Sequence, residues 1–170
     1  MNNPPMPGEP GRDAYLAEGN AKQARKRVAA DALIRDSEGR LLLVNPTYKD
    51  GWDLPGGMAE DNEAPEDAAR RELLEELGLS ITIRRFLCID WVAPHGPWDD
   101  LLAFVFDAGA LPPEQASRLK PSDKEISEHR FYEVPEALAL LPDRQQARAR
   151  AALQALDDGI PRYLRNGVGL

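Results

Sequence analysis

Three glutamates, Glu72, Glu75 and Glu76, stand at i, i+3 and i+4. On a helix that spacing crowds three carboxylates onto one face. Like charges so placed destabilise an isolated helix by about 0.2–0.5 kcal/mol per pair. Arg71 can offset one of them through an i,i+4 pair with Glu75, and the rest is uncompensated in the sequence. Upstream lies Leu54-Pro55-Gly56-Gly57, a turn in which glycine lets backbone groups approach a ligand closely. Oxygen donors without His or Cys select Mg²⁺ or Mn²⁺ over Zn²⁺. The chemistry suggested is metal-assisted phosphoryl chemistry with an activated water. A solvated acidic helix face is the competing reading.

The elements that must position these groups can be read from pattern. Residues 66–77 predict a helix. Pro65 suits its first turn, Gly78 its end, and Ala69, Leu73 and Leu77 recur at helical spacing. Val28–Ile34 and Leu41–Val44 read as strands joined by the Asp36–Gly39 turn, and 45–57 as a loop. Ile81–Trp91, Leu101–Phe106 and Ser127–Val134 are further strand candidates, with a polar connection at 110–124. Pro135–Leu141 and Arg144–Asp158 are helix candidates. Strands and helices mix without strict alternation, which predicts an α+β fold. Residues 1–12, rich in Pro and Gly, predict a disordered tail, and 13–25 could form a short helix. The expected division is a flexible segment at 1–25, one domain at 26–158 and a tail at 159–170.

At 170 residues the chain is long enough for one domain with a genuine core. Its longest apolar run is Leu101–Phe106, far short of a membrane span. No basic segment followed by an apolar run opens the sequence, and Cys88 is the single cysteine. A cytoplasmic protein without disulfides or a Cys-based zinc site is expected. The net charge of −8 argues against binding duplex nucleic acid. Most of that charge is local: residues 60–76 hold eight acids and two bases, or −6, leaving −2 for the remainder.

The same residues resemble a known family. Gly57, five residues, Glu63, seven residues, Arg71-Glu72-Leu73, one residue, Glu75-Glu76, one residue, Gly78-Leu79 fills every fixed position of the Nudix box. Trp52-Asp53-Leu54-Pro55-Gly56-Gly57 is similar to the usual run into it. The resemblance implies a Nudix fold, a mixed β-sheet sandwiched between α-helices. It implies a pyrophosphohydrolase that cleaves a nucleoside diphosphate linked to a group X with Mg²⁺ or Mn²⁺. Glu75 and Glu76 would be the principal metal ligands, and Glu72 a third ligand or the water-activating base. Gly57 would offer its carbonyl, and Arg71 and Glu63 would hold loop and helix together. In parts of the family the base lies on a later loop, where Asp99, Asp100, Asp123 and Glu125 are candidates, Glu125 being the one to test. A homodimer is a further implication.

Tyr48, Trp52 and Trp98 fall in loops expected to border the site, where aromatic faces could stack on a base or simply pack. Trp91, Phe104 and Cys88 read as core, and His95 and His129 have no evident metal partner. Lys22, Arg25, Lys26 and Arg27 could meet a phosphate or form a solvated run. Pro94 stands about fifteen positions after the box, as in ADP-ribose hydrolases of the family. ADP-ribose or a nucleotide sugar is therefore the first expectation. A sanitising enzyme for oxidised nucleoside triphosphates is the second, and a non-catalytic nucleotide sensor on the same fold the third.

Overall fold

The computed structural model describes residues 5–121 and 124–170. Its framework is one mixed sheet of eight strands. Five are long or central: β1 (Arg27–Arg35), β2 (Leu41–Pro46), β4 (Arg85–Val92), β5 (Leu101–Ala110) and β6 (Ile126–Tyr132). Three are short: β3 (Gly56–Met58), β7 (Arg162–Arg165) and β8 (Val168–Gly169). The order across the sheet is β6-β2-β1-β5-β4-β7-β8, with β3 paired to β1 off that path. β1 runs parallel to β5, and β4 parallel to β7, while the remaining pairs are antiparallel.

Helices cover both faces. α1 (Arg12–Ala21) precedes the sheet, and α2 (Pro65–Leu77) crosses one face. α3 (Pro113–Ala116) is a single turn, and α4 (Val134–Leu140) and α5 (Asp143–Asp158) lie against the opposite face. Alternation along β1 explains the two layers, since successive side chains point to opposite sides. Ala32 and Ile34 join Leu42, Val44, Leu73 and Leu77 under α2. Leu33 joins Leu41, Leu43, Leu87, Val105 and the alanines of α5 on the other side. This is the α+β arrangement, a mixed sheet between helices, that the sequence leads one to expect.

Two expectations are revised. Residues 159–170 are not a tail: β7 and β8 extend the sheet beyond β4, with Cys88 opposite Arg162 and Asp90 opposite Leu164. Residues 81–84 are not strand, although Ile81 and Ile83 still pack against the apolar cluster that includes Leu77 of α2. The short helix expected within 13–25 is α1, and none of its residues is buried. Pro4 and the acid Asp123 lie outside the described residues.

Candidate active site

α2 begins at Pro65 with an extended Ala64 before it and ends at Gly78, so proline and glycine bracket it as their chemistry favours. Its buried stripe is Ala68, Ala69, Leu73, Glu76 and Leu77. Glu76 thus occupies a position that burial alone would assign to leucine, and it is 6% exposed. One carboxylate oxygen accepts the Gly56 N–H at 3.1 Å. That bond does not offset the loss of water. Burial pushes the Glu76 carboxyl up to about 8, with Glu72, Asp31 and Glu125 adding repulsion. Glu72 is also raised, first by burial, against the opposing pull of Arg71.

Arg71 organises the other acids. Its Nε and Nη2 donate to the two oxygens of Glu63, each at 2.9 Å. Its Nη1 donates to Glu72 at 2.9 Å and to Glu75 at 3.1 Å, and Nη2 also reaches the Met58 carbonyl oxygen at 3.0 Å. The bidentate fork holds the Glu63 carboxyl below the usual range and raises the guanidinium itself. One side chain thereby fixes the loop at 58–63 against the helix face. Gly57 completes the contact. A Cβ there would sit 2.5 Å from the Glu72 carboxyl carbon, so any larger residue would displace that carboxylate from its place beside β3.

These residues suit a hard divalent cation. The donors are all oxygen, two carboxyls are held above their ordinary values by desolvation and mutual repulsion, and a bare backbone faces them. Glu72, Glu75, Glu76 and the Gly57 carbonyl are the groups that could hold it. Among the described residues no three acids, imidazoles or thiols already converge as a complete cage. Mg²⁺ does not require one, because it keeps waters and binds through one or two carboxylates plus substrate phosphates.

The structure separates the other candidates. Glu125 lies just before β6, its carbonyl accepting the Thr47 N–H at 2.8 Å, and its charge acts on both Glu72 and Glu76. Asp100 is committed elsewhere, to Lys26 and to the Trp91 indole N–H at 2.9 Å. The Asp99 carbonyl accepts from Arg27. Tyr48 is exposed within the field of Glu72 and Glu76. Trp52 packs edge-on to Tyr132, with ring centroids 5.1 Å apart. Trp98 is 55% exposed and lies under the Arg27 guanidinium at 4.6 Å, in the β4–β5 loop. Cys88 is fully buried, and burial pushes its thiol up to about 12. Phe104 is only half-buried.

A second polar cluster escaped sequence reasoning. Asp31, paired with Gly56 across β1 and β3, is pushed up to about 6 by burial. Arg148 of α5 lies 3.9 Å from Asp31 and 3.6 Å from the fully buried Asp90. Asp53 receives the Gln145 amide at 2.7 Å and pairs with Lys49. The available signals were an acid amid the apolar run of β1 and an arginine amid the alanines of α5.

Comparison with known proteins gives the family. Residues 25–156 match the NUDIX domain, and the chain belongs to the Nudix family of hydrolases. It is similar to phosphatase NudJ of Escherichia coli, 34% identical over 110 residues that cover 63% of this chain and 69% of the relative. Among solved structures, a UDP-X diphosphatase superposes with a TM-score of 0.69 at 20% identity, covering 92% of this chain and 75% of that one. An ADP-ribose pyrophosphatase from Streptococcus suis does so with a TM-score of 0.58 at 19% identity, covering 83% and 99%. At those identities the solved structures establish the shared fold. Among the described residues no helix is long and apolar enough to cross a membrane.

Proposed function

We propose that the chain hydrolyses the pyrophosphate of a nucleoside diphosphate joined to a second group, ADP-ribose or a nucleotide sugar first, with Mg²⁺ or Mn²⁺. The observation that carries this reading is the buried Glu76 beside Glu72 and Glu75, tied through Arg71 to the loop that follows Gly57. Three neighbouring acids would repel a substrate pyrophosphate, so the face works only with a cation between them. A bound Mg²⁺ or Mn²⁺ would supply charge neutralisation at the phosphate oxygens and acidify an attacking water.

The chain's own residues do the rest. Carboxylates among Glu76, Glu75 and Glu72 would hold the cation with the Gly57 carbonyl, and Arg71 and Glu63 keep the loop from drifting. Glu125 accepts the proton of the attacking water from the loop before β6. Glu72 takes that role if Glu125→Gln leaves turnover unchanged. Tyr48, exposed within the field of the glutamates, is the aromatic best placed to meet the substrate. The lone buried thiol of Cys88 suits a reducing cytoplasm. The fold is one that proteins named for UDP-X and ADP-ribose cleavage also use.

The test is a substrate panel with Mg²⁺ and with Mn²⁺, covering ADP-ribose, nucleotide sugars, dinucleoside polyphosphates, and normal and oxidised nucleoside triphosphates. Metal-dependent release of a nucleoside monophosphate from one diphosphate class is expected. Release of pyrophosphate from oxidised triphosphates alone would instead assign a sanitising role. Tight binding with no turnover anywhere would make the chain a sensor.

A further inference from the structure

α2 covers only part of its face of the sheet. Beside its N-terminal half a groove of about 600 Å³ opens, floored by Phe86, Phe104 and Phe106 and walled by Arg70 and Arg84. The Phe104 and Phe106 rings lie within 5° of parallel, their centroids 6.0 Å apart. Phe86 leans on both, at 6.0 and 6.1 Å. Together they make an apolar floor in which Phe86 and Phe104 are half-buried and Phe106 is only 7% exposed. Its rim is cationic, with Arg70, Arg84 and Arg85 against the single acid Glu66, in a chain whose net charge is −8.

The three arginines are not equivalent. Arg70 pairs with Asp67, and Arg85 donates to the Leu156 carbonyl oxygen at 2.8 Å. Among the described residues Arg84 makes no ion pair. Its place is nonetheless shaped by the fold. Gly109 has a φ of +82°, and a Cβ there would stand 2.6 Å from Arg84 Nε. Glycine at that point lets the guanidinium lie against β5 beside that floor.

An apolar aromatic floor favours a planar ring, and contact with aromatic faces accepts any base. A free guanidinium favours phosphate, through paired N–H donors. The volume falls within the roughly 300–1,000 Å³ of small-ligand sites. We infer that this groove is a second nucleotide site, distinct from the glutamate face, which seats a base against the half-buried Phe86 and Phe104 rings and a phosphate on Arg84. Arg70 borders it while the adjacent Arg71 clamps the acids, so one helix serves both places. The inference stands whether or not the proposed hydrolysis is correct.

The test is calorimetric titration of the full chain in EDTA with AMP, adenosine or ribose 5-phosphate. One AMP binds per chain, and each half-molecule binds roughly tenfold more weakly or less well still. R84E and F104L each weaken AMP by roughly tenfold, and E76Q leaves it unchanged. Arg84 is exposed and leucine keeps the apolar volume at 104, so both variants retain the wild-type circular dichroism. No binding of AMP overturns the inference. So does an isotherm that R84E leaves intact, or one that E76Q strengthens or otherwise alters, which would place the nucleotide at the glutamate face. Sedimentation showing a dimer that R84E splits would give the groove to a second copy and equally overturn it. Turnover is never read, so a failure here is separate from a failure of the hydrolase assignment.

Discussion

Glu76 concentrates the conflict between folding and chemistry in one side chain. A carboxyl whose folded value lies above its unfolded one binds more protons in the native state. Its contribution to stability is complete below the ordinary carboxylate range and is lost as pH climbs through the folded value. With Glu76 at about 8 and Asp31 at about 6, metal-free protein should lose stability between about pH 4 and pH 8. Thermal melts in EDTA across that range check it. Glu76→Gln should flatten the slope and raise the midpoint at pH 8, by about 2–4 °C for each kcal/mol recovered. The same variant should lower kcat on the order of a hundredfold to a thousandfold with Mg²⁺. Near wild-type turnover would remove Glu76 from the proposed ligand set. Arg71→Lys keeps the charge but loses the fork to Glu63, and should cost roughly 10–100-fold in metal affinity or activity, read by titrating the metal at fixed substrate.

At the scale of elements, the contact between β3 and α2 is the sensitive joint. Gly57→Ala pushes a methyl into the Glu72 carboxylate. A displacement of about 1 Å can cost about a hundredfold in rate, so activity should fall far more than melting temperature, measured side by side. The helix and its acids were legible in the sequence because a box of this kind is local. Pro65, the 69-73-77 stripe and Gly78 all lie within one stretch of chain. The Asp31–Arg148–Asp90 cluster was not, because β1, β4 and α5 meet only in the fold and no spacing links them. β7 and β8 were missed for another reason: Arg162–Arg165 and Val168–Gly169 are too short to show a strand pattern of their own. A signal was present in Asn166-Gly167, whose φ values of 53° and 80° fit the tight turn that this dipeptide favours between antiparallel strands.

For the whole molecule, the two apolar layers under α2 and under α4–α5 are closed without the proposed cation. Dialysis against EDTA should therefore leave circular dichroism unchanged while lowering the melting temperature. Ligand held at 100 times its dissociation constant stabilises by about 2.7 kcal/mol. Mg²⁺ should raise the midpoint more at pH 8 than at pH 5, because protons compete for Glu76 at the lower pH. An equal rise at both would detach the cation from that residue. A chain ended at Gly159 tests the far edge. It would bare β4 and strip buried Asp90 of the Gly167 N–H it accepts at 3.0 Å. A lost bond of that kind costs about 1–3 kcal/mol, so a lower midpoint and concentration-dependent precipitation are expected.

The pairing of Cys88 with Arg162 also sets a schedule for the nascent chain. β4 leaves the ribosome long before the strand that covers it, and at about 5–20 residues per second the interval is on the order of seconds to tens of seconds. Throughout it, Phe86-Leu87-Cys88-Ile89 offers an open edge to any passing strand. Slow translation between residues 92 and 162 would prolong that exposure, so yield in the cell should depend on codon choice in that stretch.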